Sequence, residues 1–241
     1  MYNKLSKPFC IRAVTALIFL IMACRGKAQD TLIQKPPVMD NWKDYLAVIA
    51  KDPEKRMVDL RTKIPAIVLD LRYSSVNNFM NRRMYDPPPS TSFLRAPAAD
   101  SLAKVQAELA VSGLGLKIFD AYRPWSVTRR FWELVKDERY VANPAKGSGH
   151  NRGIAVDLTI IRLKDGSALP MGTGFDNFSD TAHHSFGQLP DEVLKNRKLL
   201  RSTMEKYGFK ALETEWWHYF LPEANRFELL DLSFKQLQQK L

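Results

Sequence analysis

Cysteine is nearly absent from these 241 residues: there are two, Cys10 and Cys24, both close to the N-terminus. A chain with no thiol beyond position 24 has no cysteine nucleophile and no thiolate metal site in its body, and no disulfide braces its fold. It must rely on a hydrophobic core, and about 200 residues are enough for one sizeable domain. Histidine is scarce too, with four in all: His150, His183, His184 and His218. There is no internal repeat, no low-complexity tract, no phosphate-binding glycine motif and no run of lysine or arginine. The formal charge is +10, but five of the 36 basic residues and none of the 26 acidic ones lie in residues 1–28, which leaves +5 for the rest. An excess of that size without a basic run argues against nucleic acid. It is compatible with residence near an anionic cell wall or membrane surface.

Long apolar runs are missing as well, since a membrane span needs about 20 residues. The N-terminus has a different layout: Lys4, Lys7 and Arg12, then an apolar run from Ala13 to Cys24, then small residues. That is the plan of a secretory signal. Two cleavage readings compete. "GKA" before Gln29 suits an ordinary signal peptidase and makes residues 1–28 the signal, whereas "IMAC" ending at Cys24 resembles a lipoprotein box. Gly26 and Ala28 in the small-residue positions favour the first. Either way the chain is expected to be exported, periplasmic or lipid-anchored to the cell envelope. Residues 29–56, with Pro36 and Pro37, read as a tether, and a single domain is expected over 57–241.

Within that domain "VDLRTKIPAIVLDLRYSS" alternates as a strand does, and "YDPPPSTSF" is a proline-stiffened loop. Leu102, Val105 and Leu109 form a helical stripe that Gly113 stops. "LKIFD" (116–120) is a short strand, a second helix covers Ser126 to about Lys136, and a third begins near Pro190 and ends at Gly208. Strands are expected over 154–161 and in "TEWWHYF". Strands interleaved with helices without a regular βαβ rhythm imply an α+β domain. The expected architecture is a small antiparallel sheet flanked by helices, with the functional site on the sheet.

Residues 147–159, "GSGHNRGIAVDLT", place Asp157 inside a strand that is otherwise apolar. An unpaired buried charge is costly. A hydrolytic metal site needs three N or O ligands and a fourth position for water, and His150, Asp157 and His218 are a candidate set. On spacing alone a second reading stands: a buried aspartate satisfied by backbone donors, beside a surface histidine. "ETEWWHY" adds Glu215, a carboxylate of the kind that serves as general base beside a metal-bound water. Glu215 and His218 are three apart, on opposite faces of a regular strand, so a bulge or strand end must re-aim one of them. Trp216 and Trp217 read as walls of the site or as plain core aromatics. In "IFDAYRPW", Arg123 is held extended by Pro124 and is aimed either at an oxyanion or at a nearby carboxylate.

Together "FDAYRP", "SGHNRGIAVDLT", "MGTGFDNFS" and "ETEWWHY" closely resemble the zinc D-alanyl-D-alanine dipeptidases, the VanX-like branch of the M15 peptidases, over roughly residues 57–225. The resemblance implies one Zn2+ held by His150, Asp157 and His218, Glu215 as general base and Arg123 as transition-state stabiliser. It also implies that Ser148 and Asp176 hold the termini of a dipeptide, Asp176 meeting the ammonium. The chain departs from the pattern in its N-terminal extension, in a short stretch between Arg123 and His150, and at Ile154, where a small polar residue is often found. His183 and His184 match no catalytic role. The expected activity is hydrolysis of D-alanyl-D-alanine in peptidoglycan turnover or D-alanine salvage. The partners are a small dipeptide and, through a lipidated Cys24, the membrane, with no nucleic acid and no obligate protein partner. Rival readings are a DD- or LD-carboxypeptidase acting on longer wall peptides and a non-catalytic wall-binding lipoprotein.

Overall fold

The computed structural model describes residues 35–240. The expected signal sequence and Cys24 lie outside them. The described chain opens with β1 (Val38–Met39) and α1 (Trp42–Lys51), then β2 (Met57–Asp59), α2 (Leu60–Lys63) and β3 (Val68–Leu69). β4 (Phe93–Arg95) runs into α3 (Ala96–Ala110), followed by β5 (Leu114–Asp120), α4 (Trp125–Leu134) and the single turn α5 (Gly149–Arg152). β6 (Ala155–Arg162), α6 (Asp191–Lys206), β7 (Lys210–Leu212), β8 (Glu215–Phe220), β9 (Leu229–Leu230) and α7 (Phe234–Lys240) complete the order. Among the described residues no helix is long and apolar enough to cross a membrane.

The central sheet has the order β3-β5-β6-β8-β7. Its β5-β6, β6-β8 and β7-β8 pairs are antiparallel, as expected, but the short edge strand β3 runs parallel to β5. One face is covered by α3 and α6, whose Ala98, Leu102, Val105, Leu109, Leu200 and Met204 pack with Leu116, Ile118, Val156, Leu158 and Ile160 of the sheet. A second apolar cluster lies under α1, α4 and α7, and contains Tyr45, Met57, Tyr73, Tyr85, Phe93, Tyr122, Phe131 and Phe234. Phe175 packs against both clusters.

Two expectations need correction. The stretch 58–75 is no single strand. The Asp59 carboxylate accepts hydrogen bonds from the Arg61 and Thr62 amides at 2.8 and 3.2 Å, so it caps α2 and ends β2 after three residues. A local side-chain cap has outcompeted the sheet ladder there. Nor is the described part of 29–56 a tether. Asn41 caps α1 by accepting from the Asp44 amide, Tyr45 is fully buried, and its hydroxyl accepts from the Met57 amide at 2.7 Å. β1 pairs in parallel with β9, so this segment closes on the C-terminal part of the chain.

One buried cation joins these parts. The Arg95 side chain is completely covered; its Nε donates to the Arg152 carbonyl at 2.9 Å, Nη2 to that of Glu228 at 3.1 Å and Nη1 to that of Lys55. Removing it would orphan three carbonyls around α5. Arg95→Ala is expected to destabilise the fold by about 3 kcal/mol, read as a lowered urea midpoint at unchanged slope.

Candidate active site

The site begins with strand register. Asp120 on β5, Asp157 on β6 and His218 on β8 are direct cross-strand neighbours, Asp120 opposite Asp157 and Asp157 opposite His218. Two irregularities make this row usable. On β5 the register shifts between Ile118 and Asp120, so that two steps there face one step of β6. The bulge takes Asp120 off the core face of Leu116 and Ile118. On β8 the span from Glu215 to Tyr219 faces the single step from Leu212 to Ala211 on β7. The slack brings Glu215 Oε2 to 3.9 Å from His218 Nδ1. The bulge demanded by the three-residue spacing is therefore present.

His150 comes from α5, where the sequence alone suggested an irregular glycine loop. Ser148 is its N-cap: its hydroxyl accepts from the Asn151 amide at 3.3 Å, and the Asn151 side-chain oxygen accepts from the Ser148 amide at 3.0 Å. This reciprocal capping stabilises one turn that would otherwise be too short to hold. Gly153 ends it in the left-handed conformation, φ 71°. A Cβ on Gly149 would stand 2.8 Å from that of Ala155, so only glycine lets the turn sit this close to β6. The buried Asn151 amide donates to the Arg123 carbonyl and to Thr128 Oγ1, both at 2.8 Å, and the Arg123 amide donates to the His150 carbonyl at 3.2 Å. His150 and Arg123 are thus held by one network.

His150 Nδ1 lies 2.7 Å from the Ala121 carbonyl. Donating there selects the tautomer whose Nε2 faces Asp157 and His218. The three side chains converge: His150 Nε2 lies 3.4 Å from Asp157 Oδ2 and 3.3 Å from His218 Nδ1, and His218 Nδ1 lies 2.9 Å from the other Asp157 oxygen, Oδ1. Ligand atoms about 2.0–2.1 Å from one tetrahedral ion stand roughly 3.3 Å apart. Two imidazoles and a carboxylate at that separation fit a divalent metal such as zinc, with a fourth position free.

Burial opposes charge on Asp157, but His150 and His218 outweigh it and hold the carboxyl well below its usual range. For His218 burial favours the neutral form, and the hydrogen bond and charge of Asp157 outweigh that and raise it. Glu215 is raised above an ordinary glutamate by burial, with Asp157 adding to the effect. Arg123 is paired with a nearby carboxylate, that of Asp120. Its Nε and Nη2 donate to Asp120 Oδ2 at 3.0 and 2.7 Å, Tyr85 donates to the other oxygen at 2.5 Å, and Nη1 makes no bond among the described residues. The guanidinium lies over the rings of Tyr73 and Phe131, 5.0 and 4.7 Å from their centroids.

One cavity of about 650 Å³ has a lining that includes Arg123, Ser148, His150, Asp157, Asp176, Glu215 and His218. Asp176 has a left-handed backbone, φ 60°, and accepts from the Tyr73 hydroxyl at 3.1 Å. Burial, reinforced by the charge of Asp157, pushes its carboxyl well above the usual range. It is a carboxyl that a cation entering the cavity would stabilise.

The family model described as "D-ala-D-ala dipeptidase", Peptidase M15, matches residues 53–239. The chain belongs to the M15 peptidase family. A D-alanyl-D-alanine dipeptidase of Escherichia coli (strain K12) is 36% identical over 174 residues, 72% of this chain and 89% of that protein. One from Enterococcus faecium is 32% identical over 170 residues, 63% of this chain and 84% of that protein, and one from Streptomyces coelicolor is 29% identical over 178 residues. This M15 member is a metallopeptidase with an α+β fold.

Every site residue expected from the sequence lines this cavity. Sequence reasoning missed Asp120, Asn151, Tyr73 and Tyr85. Asp120 was within sight, three positions before Arg123 in the same motif, and Asn151 follows His150 directly. Tyr73 and Tyr85 gave no signal, because their partners are 103 and 35 residues away. His183 lines the cavity. His184 does not: its Nε2 is buried without a hydrogen-bond partner among the described residues.

Two predictions follow from this geometry. Zinc is expected to bind at one ion per chain, and His218→Ala to weaken it by more than the ~10–100-fold cost of losing an outer partner, measured by competition with a chromogenic chelator. Burial, aided by Arg201, lowers His184 from 6.5 to about 4. The unfolded chain therefore takes up this proton first as pH falls, and the stability of the neutral buried ring is lost between pH 6.5 and 4. His184→Gln is expected to flatten the dependence of Tm on pH across that window.

Proposed function

We propose that this protein is a zinc-dependent dipeptidase that hydrolyses D-alanyl-D-alanine to two D-alanine, in an exported compartment, for peptidoglycan turnover or D-alanine salvage. The observation that carries the reading is the His150–Asp157–His218 cluster with Glu215 3.9 Å from His218, in one cavity with the half-buried Asp176. The relatives' shared name, D-alanyl-D-alanine dipeptidase, supports the substrate. The signal-like N-terminus supports export.

When bound, zinc supplies a Lewis acid and an acidified water. The chain does the rest. Asp176, with Tyr73 beside it, receives the substrate ammonium, which supplies the cation that its burial lacks. Ser148, at the N-terminus of α5, meets the other terminus. Glu215, made more basic by burial, takes the water's proton and delivers it to the leaving amine. Arg123, locked in direction by Asp120, offers its remaining nitrogen to the oxyanion that forms at the carbonyl. A carboxyl at the ammonium position would also favour dipeptides, since an acylated amine would leave the Asp176 carboxylate with no cation opposite it.

D-alanine release from D-Ala-D-Ala is expected with zinc present and to vanish on chelation. Glu215→Gln should lower kcat by about 10²–10⁴-fold while zinc content stays unchanged. Release that is indifferent to metal, or to Glu215, overturns the mechanism. An N-acetylated tripeptide should be rejected; its efficient cleavage would make the enzyme a carboxypeptidase instead.

A further inference from the structure

A second cavity, of about 450 Å³, adjoins the Arg123 segment, and no step above uses it. Arg123 lines the first cavity, and the very next residue, Pro124, lines the second, with Ser126 and Val127 of α4. Tyr85 lines the second cavity too, and its hydroxyl donates at 2.5 Å to Asp120, the carboxylate that clamps Arg123. The two cavities thus share a wall, and the arginine of the candidate active site is anchored in it.

The lining of the second cavity divides by chemistry. Its apolar part comes from Pro87, Pro88 and Pro89 and from the rings of Tyr85 and Phe234, whose centroids stand 4.9 Å apart. Proline fixes its own φ, so three in succession hold this side ready at little ordering cost. The polar part is richer in cations, with Arg129, Arg130 and Lys235 against Asp86 and Asp231. Asp231 is already committed, accepting from the Ser126 amide at 2.9 Å at the start of α4. Lys235 makes no ion pair among the described residues, and Arg129 makes only a long, exposed one of 3.8 Å with Glu133. An apolar floor under unmatched positive charge, in a volume typical of small-molecule sites, fits an apolar body that carries one negative charge.

We propose that this second cavity is an effector site for a small apolar carboxylate, and that its occupancy is felt at Arg123 through Tyr85 and Asp120. The carboxylate meets Arg129 and Lys235, and the body replaces water against the prolines and Phe234. A body seated against the Tyr85 ring moves the hydroxyl that holds Asp120, and Asp120 sets the direction of Arg123. Because Arg123 acts at the oxyanion, the effect falls on kcat and not on substrate binding. The kinetic half of this inference rests on the dipeptidase reading; the binding half does not.

The probe is 2-naphthoate, with 2-naphthylmethylamine, a like body under the opposite charge, as control. On the zinc-loaded enzyme, calorimetry should show saturable binding of 2-naphthoate with a Kd of about 1 mM or lower, and none of the amine. Lys235→Glu and Arg129→Glu, both at exposed positions, should each weaken that binding about tenfold. Saturating 2-naphthoate should lower kcat for D-Ala-D-Ala about fivefold or more at unchanged KM, and Tyr85→Phe should abolish this response while the probe still binds. Absence of saturable binding overturns the site. So does binding that both charge reversals leave unchanged, or inhibition that appears only as a raised KM, since either places the probe elsewhere. Binding of the expected kind with kcat unmoved overturns the effector role. An enzyme that binds the probe as expected and does not cleave D-Ala-D-Ala overturns the dipeptidase reading and leaves the site standing.

Discussion

A carboxylate buried in the middle of a strand is the constraint around which this molecule is organised. Asp157 is almost fully covered, and its charge would be intolerable in an apolar sheet without compensation. Two histidines supply it from opposite directions, His218 from the neighbouring strand and His150 from a one-turn helix. The same three groups that settle the electrostatics of Asp157 stand at the separations a tetrahedral metal requires. Stability and candidate chemistry are here one problem with one solution.

That solution depends on departures from regularity. A flat, regular sheet would put Asp120 into the core beside Leu116 and Ile118, and would place Glu215 on the face opposite His218. The bulges on β5 and β8 prevent both. Around them, buried polar side chains act as braces. Asn151 ties α5 to the Arg123 turn and to α4, and Arg95 ties the far end of α5 to the segments at 55 and 228. Arg95 satisfies three carbonyls at once, and the Asn151 amide one carbonyl and one hydroxyl, which no apolar contact could do.

The fold was partly legible in the sequence, for reasons that differ by element. α3 and α6 carry apolar stripes at helical spacing, and β6 carries an apolar run interrupted only by Asp157 and Thr159 before its terminal Arg162, so local pattern suffices for them. β2, α2 and β3 share a strand-like alternation; the Asp59 cap that divides them is a side-chain effect that hydrophobic patterning does not register. α1 gives a tether-like pattern because Pro36 and Pro37 precede it. Its place in the fold depends on Tyr45 finding the Met57 amide and on β1 finding β9 at the other end of the chain.

The candidate site divides along the same line. By itself the sequence determined the candidate donors and their order along the chain, Arg123, His150, Asp157, Glu215 and His218, because chemistry narrows sharply when a chain has four histidines and no thiol beyond position 24, while Asp176 stands out only through the family resemblance. Tertiary structure decided the distances, the tautomer of His150, the face on which Glu215 lies, the partners of Arg123 and the size of the cavity. None of these is a local property. Each depends on register between strands or on contacts between residues far apart in the chain, and one bulge is enough to turn a carboxylate from the core to the site.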